Sequence, residues 1–197
     1  MADAGIGRLL ISSLHQGIGD VVPTRLEFYE NWLSPTGMRD GRIGLAPLGA
    51  VLSFLHREGP PTNDLIAIRA GTCAADWTFA DVSPLRRWWI ERLPARLRVR
   101  AALGLARRLV RQTVRESKVK VRMSGPTWVV EIRSAAFEQL RDPASIPMRA
   151  FYAAALQRLL GLCAVDADVA LAAEHDTGWN LTVAVRSTRR VDPDAPA

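Results

Sequence analysis

Lysine is nearly missing from this chain: it occurs only at Lys118 and Lys120, and every other one of the 26 basic residues is arginine. A phosphate-binding loop needs a Gly-Lys-Ser/Thr run, and a Schiff-base enzyme needs a desolvated lysine. Both classes are excluded here, because the two lysines sit in an exposed, strand-like alternation of charge. Histidine is scarce as well, with three residues. His15 and His56 fall on separate helices without a second ligand at i+3 or i+4, and His175 sits in a hairpin turn beside Asp176, so no metal site is expected. The two cysteines, Cys73 and Cys163, lie far apart in apolar helical patterns and read as buried free thiols rather than a disulfide. The glycine pairs Gly5/Gly7 and Gly17/Gly19 lack a third glycine at the required offset and follow no strand, which leaves dinucleotide binding unsupported. Glu27 and Glu30 share a helical face, but no base or nucleophile accompanies them. No catalytic residue is nominated, and no cofactor can be named.

Long uninterrupted apolar runs are also lacking. Ala150 to Val165 is broken by Gln157 and Arg158 and is too short to span a bilayer. Ile6 to Ile18 is broken by Arg8, Ser12, Ser13, His15 and Gln16 and does not read as a signal peptide. The expectation is a soluble cytoplasmic protein, at most peripheral to a membrane. A chain of 197 residues with 48% hydrophobic content suits one domain with a well-buried core. That domain is expected over residues 1–186, with 187–197 a polar, proline-containing flexible tail.

What the chain does contain is a concentration of positive charge. Arg86 to Arg122 holds thirteen of the 26 basic residues against Glu91 and Glu116 alone, a local +11 that leaves the remainder near −5. The basicity is therefore regional and implies a directed cationic face. Within it, Ala95 to Arg115 reads as one long helix on which Arg96, Arg100, Arg107, Arg111 and Arg115 fall within an arc of about 100°. Ala101, Ala102, Leu103, Leu105, Ala106, Leu109 and Val110 take the other side. Such a stripe, flanked by Trp88 and Trp89, admits an acidic protein partner, an anionic membrane surface or phosphates as its counterpart. A solvated face is the plain alternative. No nucleic-acid module accompanies the stripe, which disfavours nucleic acid.

The first two-thirds reads as helices punctuated by proline and glycine: Ile6–Val22, Arg25–Leu33, Leu45–Arg57 ending at Gly59-Pro60-Pro61, Asp64–Phe79 with Ile68, Cys73 and Trp77 near the core, and a fifth helix capped by Ser83-Pro84. After Ser117 the period changes to two. Val119, Val121 and Met123 alternate with charge, Gly125-Pro126 turns the chain, and Trp128, Val130 and Ile132 follow. Pro147 opens a helix carrying Phe151, Tyr152, Ala155, Leu156, Leu159 and Leu162. A second hairpin then pairs Val169, Leu171 and Ala173 with Trp179, Leu181, Val183 and Val185 across Asp176-Thr177-Gly178. The expected fold class is α+β, with N-terminal helices packed on a C-terminal four-stranded antiparallel sheet in the order β-β-α-β-β. Phe54, Trp77, Phe79, Phe137, Phe151 and Tyr152 are the candidates to line an apolar ligand cavity between helices and sheet, although core packing explains them equally well. Surplus apolar residues on Leu45–Arg57 and Asp64–Phe79, namely Val51, Phe54, Ile66 and Ile68, point to a homodimer.

The block Phe137-Glu138-Gln139-Leu140-Arg141-Asp142-Pro143, then Pro147 to Leu156 with Leu159-Leu160, then a closing hairpin around Gly178 ending in Leu181-Thr182-Val183, resembles the 4-vinyl reductase domain family. Arg25 to Tyr29 and Leu45 to Leu55 are similar to the helical part of such proteins. The resemblance spans about residues 8 to 186. It implies helices on a four-stranded antiparallel sheet, a fold shared with TRAPP vesicle-tethering subunits and sensory domains of bacterial regulators. It also implies a small-molecule- or lipid-binding module that often dimerises. With no catalytic set in the sequence, the expectation is a non-catalytic, dimeric module that binds a hydrophobic small molecule or a lipid and interacts with protein. The alternative it carries is an enzyme or accessory factor of (bacterio)chlorophyll or tetrapyrrole metabolism. Many members have cysteines around the last hairpin. This chain has Glu174, His175, Trp179 and Asn180 there instead, which puts any cysteine-dependent metal or cofactor role in doubt.

Overall fold

The computed structural model describes residues 5–30, 45–134, 136, 146–175 and 178–188 of the chain. Helix α1 (Arg8–Val21) leads through a 3-10 turn (Pro23–Arg25) into α2 (Leu26–Glu30). Then come α3 (Leu45–Arg57), α4 (Pro60–Ala80), α5 (Pro84–Arg92) and α6 (Ala95–Thr113). Pro60 and Pro84 open α4 and α5, where the missing N–H removes no helical bond and the fixed φ suits the first turn. The Pro60-Pro61 pair therefore both stops α3 and starts α4, which begins at Pro60 rather than at Asp64. Residues 31–33 of the expected second helix lie outside the described residues. Helix α6 ends at Thr113 instead of Arg115 because the chain there is drawn into pairing with the N-terminal segment. Val114 bridges Ile6, and the Gly7 N–H donates to the Thr113 carbonyl at 2.8 Å. Arg25 and the buried Tyr29 both donate to Glu58, at 2.7 and 3.1 Å, and so tie α2 to the end of α3.

The C-terminal part is β1 (Lys118–Ser124), β2 (Thr127–Arg133), α7 (Ile146–Leu162), β3 (Val165–His175) and β4 (Gly178–Thr188). The four strands form one antiparallel sheet in the order β1-β2-β4-β3. The chain is thus α+β, with seven helices among the described residues and the sheet at its C-terminal end. The register places Val121, Val130 and Leu181 in line across three strands, and Val119, Ile132 and Trp179 beside them. These residues and Val183, Val169 and Ala167 make the sheet face that joins the core, while Lys118, Lys120 and Arg122 alternate to the other side. Strand β4 runs through Ser187 and Thr188, which the sequence assigns to the tail; residues 189–197 lie outside the described residues.

Helix α7 packs against β3, α4 and α6, and α1 packs against α4 and α6. Here α4 corrects one expectation. Its buried side is Ile66, Ala67, Ala70, Gly71, Ala74, Ala75 and Thr78, while Ile68 and Trp77 are exposed and Cys73 is half-buried. Close helix approach selects the small residues for the interior. A Cβ on Gly71 would stand 2.2 Å from the Phe151 carbonyl oxygen of α7, and one on Gly17 of α1 would stand 2.7 Å from the Ile66 carbonyl oxygen. Where two backbones come that near, large side chains are displaced to the flanks. No helix among the described residues is long and apolar enough to cross a membrane.

Candidate functional site

Helix α6 carries four of the five stripe arginines, Arg96, Arg100, Arg107 and Arg111, and Arg115 follows two residues past its end. Arg96, Arg100, Arg107, Arg111 and Arg115 are all exposed, whereas Ala102, Leu103, Leu105, Ala106, Leu109 and Val110 are buried. The five stripe arginines make no ion pair among the described residues. Two neighbours on the same helix behave differently. Arg108 reaches Asp81 at 3.1 Å, and the buried Arg98 donates to the Ala164 carbonyl at 3.2 Å. The helix thus sorts its cations: Arg98 and Arg108 hold other elements, while the stripe from Arg96 to Arg111 faces solvent over about 22 Å, at 1.5 Å rise per residue.

Of the aromatic candidates among the described residues, Trp77 borders a cleft, and Phe54, Phe79, Phe151 and Tyr152 line neither that cleft nor the groove between α4, α7 and β3. Phe151 and Tyr152 are fully buried, with ring centroids 5.1 Å apart, and Tyr152 lies 5.9 Å from Trp179 of β4. The Tyr152 hydroxyl meets Thr113 Oγ1 at 2.8 Å. Thr113 spends its own proton on the Val110 carbonyl at 2.8 Å, so Tyr152 is the donor of the pair. Burial pushes the Tyr152 phenol well above its ordinary range. These two residues are core. Phe54 on α3 is half-buried against Phe28, edge to face at 5.2 Å. Phe79 is half-buried beneath the Arg87 guanidinium at 5.5 Å. Trp77 is exposed, and Phe137 lies outside the described residues.

Two clefts among the described residues bear on a binding site. One, of about 450 Å³, is bounded by Arg8, Leu9 and Ser12 of α1, Trp77 and Thr78 of α4, Asp81, and Gln112 of α6. The other, of about 570 Å³, is an open groove between α4, α7 and β3, with Ile68, Ala153, Ala154, Gly161 and Val169 in its apolar lining and Thr72, Gln157 and Arg158 as its polar groups. Its origin is local. Ala150, Ala153, Ala154, Gln157 and Gly161 recur at i, i+3, i+4, i+7 and i+11, so one side of α7 is nearly bare of bulk. Gln157 also fixes the wall of the groove. It donates to the Ala167 carbonyl at 2.5 Å and accepts from the Val169 N–H at 3.0 Å, acting as a substitute strand along the edge of β3. Arg158 reaches Asp76 at 2.8 Å and locks α7 to α4. The small-residue spacing on α7 was the sequence signal for this groove, and reasoning from aromatic residues alone passes over it.

Other titratable groups join helices to one another. His15 meets Glu30 at 2.8 Å between α1 and α2. Asp20 accepts from Arg69 at 2.5 Å and from Gln16 at 2.8 Å, and these bonds, the Arg69 one foremost, hold its carboxyl below the usual carboxylate range. Both cysteines are free thiols; burial raises Cys73 and pushes Cys163 up to about 11. No group of three or more His, Cys, Asp or Glu side chains among the described residues is placed to hold a metal ion. No protein-family model, curated protein or solved structure matches the chain.

Proposed function

We propose that this protein is a non-catalytic binding module, acting as a homodimer, that takes a hydrophobic small molecule or a lipid chain in the groove between α4, α7 and β3. The observation that carries this reading is the groove itself, about 570 Å³ of space lined chiefly by Ile68, alanines, Gly161 and Val169. That volume suits a ligand of ordinary small-molecule size, and a predominantly apolar lining with a few polar groups is the usual composition of such sites. Thr72, Gln157 and Arg158 are the polar groups along an otherwise apolar trough, and the Arg158 N–H groups that are not spent on Asp76 suit an amphiphile with a carboxylate head. The α+β layout is the one that the resemblance to the 4-vinyl reductase domain family implies, and the binding-module character of that family agrees with an apolar groove of this kind.

The test is a displacement titration with a fluorescent fatty acid such as cis-parinaric acid, run on the wild type and on Ala154→Trp. Ala154 is half-buried at the surface of α7, so the indole is accommodated outward and fills the trough. Saturable binding by the wild type and its loss in Ala154→Trp, with an unchanged circular dichroism spectrum, is the expected result. Absence of binding by the wild type, or equal binding by the variant, overturns the reading.

A further inference from the structure

Helix α5 presents its most apolar side to solvent. Leu85, Trp88, Trp89 and Arg92 recur at i, i+3, i+4 and i+7 and so share one face, and Leu85, Trp88 and Trp89 are 68%, 45% and 57% exposed. The opposite face is anchored. Ile90 is buried, and Arg87 donates to the Val82 carbonyl at 2.7 Å and to the Ala80 carbonyl, so its guanidinium caps the end of α4 while covering Phe79. The helix is therefore held in place by its inner side, and its outer side is left with two indoles.

The surroundings of those indoles are cationic. Arg92 lies over the Trp88 ring at 3.8 Å, and Trp88 and Trp89 meet edge to face at 5.3 Å. Arg86 is exposed on α5, and across the Leu93-Pro94 link the first turns of α6 expose Arg96, Leu97 and Arg100. Glu91 is the one carboxylate of α5 and sits to the side of the Leu85–Arg92 face. We propose that this outer face of α5, with the start of α6, is a docking surface for an anionic lipid bilayer. Charge complementarity selects the sign of the partner, and the convex shape selects its kind. A single helix face with protruding tryptophan and leucine offers no trough for a peptide, whereas a headgroup layer yields to protruding side chains. Tryptophan settles at that depth because its ring is apolar and its N–H stays wet. Arginines flanking the aromatic ridge meet lipid phosphates, each contributing about fivefold to partitioning near an anionic surface.

Vesicle co-sedimentation with tryptophan emission tests this. Phosphatidylglycerol/phosphatidylcholine vesicles should pellet the protein and shift its emission to the blue at low salt; phosphatidylcholine alone should do neither, and raising the salt to 0.5 M should release most of the protein, since the screening length falls to about 4 Å. Trp88→Ser with Trp89→Ser should abolish the shift and weaken pelleting. Arg96→Gln with Arg100→Gln should weaken pelleting by roughly 25-fold. Both variants should keep the wild-type melting temperature, because the four side chains are exposed. Ala154→Trp should pellet like the wild type, which separates this surface from the groove. Failure to pellet at low salt overturns the proposal. So does pelleting that the tryptophan variant leaves intact, which would mark a face binding any polyanion. A DNA duplex that competes fully with vesicles and binds the tryptophan variant equally well overturns it in favour of nucleic acid.

Discussion

The two thiols of this chain sit in environments that differ enough to be told apart chemically. Cys163 follows α7, is closed to solvent and has its thiol pushed up to about 11 by burial, with the Arg98 charge opposing that only in part. Cys73 on α4 is half-buried, and burial raises its thiol too, while Arg69 beside it pulls the other way. A raised value means that the thiol holds its proton, so the reactive thiolate is scarce at pH 8 in both, and access then decides the rate. Iodoacetamide at pH 8 should therefore alkylate Cys73 slowly and leave Cys163 unmodified until the protein is unfolded. Peptide mass mapping of the native protein reads this directly; labelling of Cys163 at the rate of Cys73 would mean that the region around the end of α7 opens readily. The same scale shows why residue identity alone was a poor guide to a site. A phenylalanine or tyrosine on an apolar helix face looks the same whether it lines a cavity or fills a core, and Phe151 and Tyr152 fill the core because α4 and α6 close over them.

At the scale of elements, the packing of α4 on α7 depends on a single missing side chain. Gly71 lets the two backbones touch, and a methyl group there would stand 2.2 Å from the rigid Phe151 carbonyl oxygen. Gly71→Ala would normally stabilise a helix by about 1 kcal/mol through propensity. Here the helices must separate instead, and an overpacking cost of roughly 1–3 kcal/mol or more outweighs the gain. Urea denaturation should show the variant less stable than the wild type, while Gly104→Ala, on the open face of α6, should be more stable. This contact also explains what was legible. Strands β1, β2 and β4 and helix α6 announce themselves because polar and apolar residues alternate with the period of the element, and one face of each is wet. Helix α4 is apolar on several sides, so its pattern does not say which side is buried. The answer lies in the distance between backbones, which places Ala70, Gly71 and Ala74 inside and turns Ile68 and Trp77 out. The boundaries of α4 and α6 were missed for similar reasons: Pro60-Pro61 serves two helices, and Val114 is claimed by Ile6.

For the whole molecule, the distribution of surface character bears on how two copies would meet. The positive charge is gathered between Arg86 and Arg122, and the rest of the chain is net negative by about five charges. Two copies cannot associate through the α6 stripe without bringing like charges together, so a symmetric contact must use another face. Of the residues expected to drive dimerisation, Val51 and Ile66 are buried within the protomer and Phe54 is half-buried. Ile68 remains at 46% exposed, and Leu65, at i−3 on the same side of α4, is 57% exposed. Ile68 also forms one wall of the α4–α7–β3 groove, so a partner seated on this side would roof the groove and shield its apolar lining from water. The expected outcome is a dimer by light scattering at high micromolar concentration, converted to a monomer by Leu65→Lys with Ile68→Lys. Since the two side chains are exposed, the monomeric variant should keep its secondary structure and lose only the concentration dependence of its melting temperature, which mass action imposes on a dimer. A wild type that scatters as a monomer at that concentration, or a double variant that remains dimeric, would place the contact elsewhere or remove it.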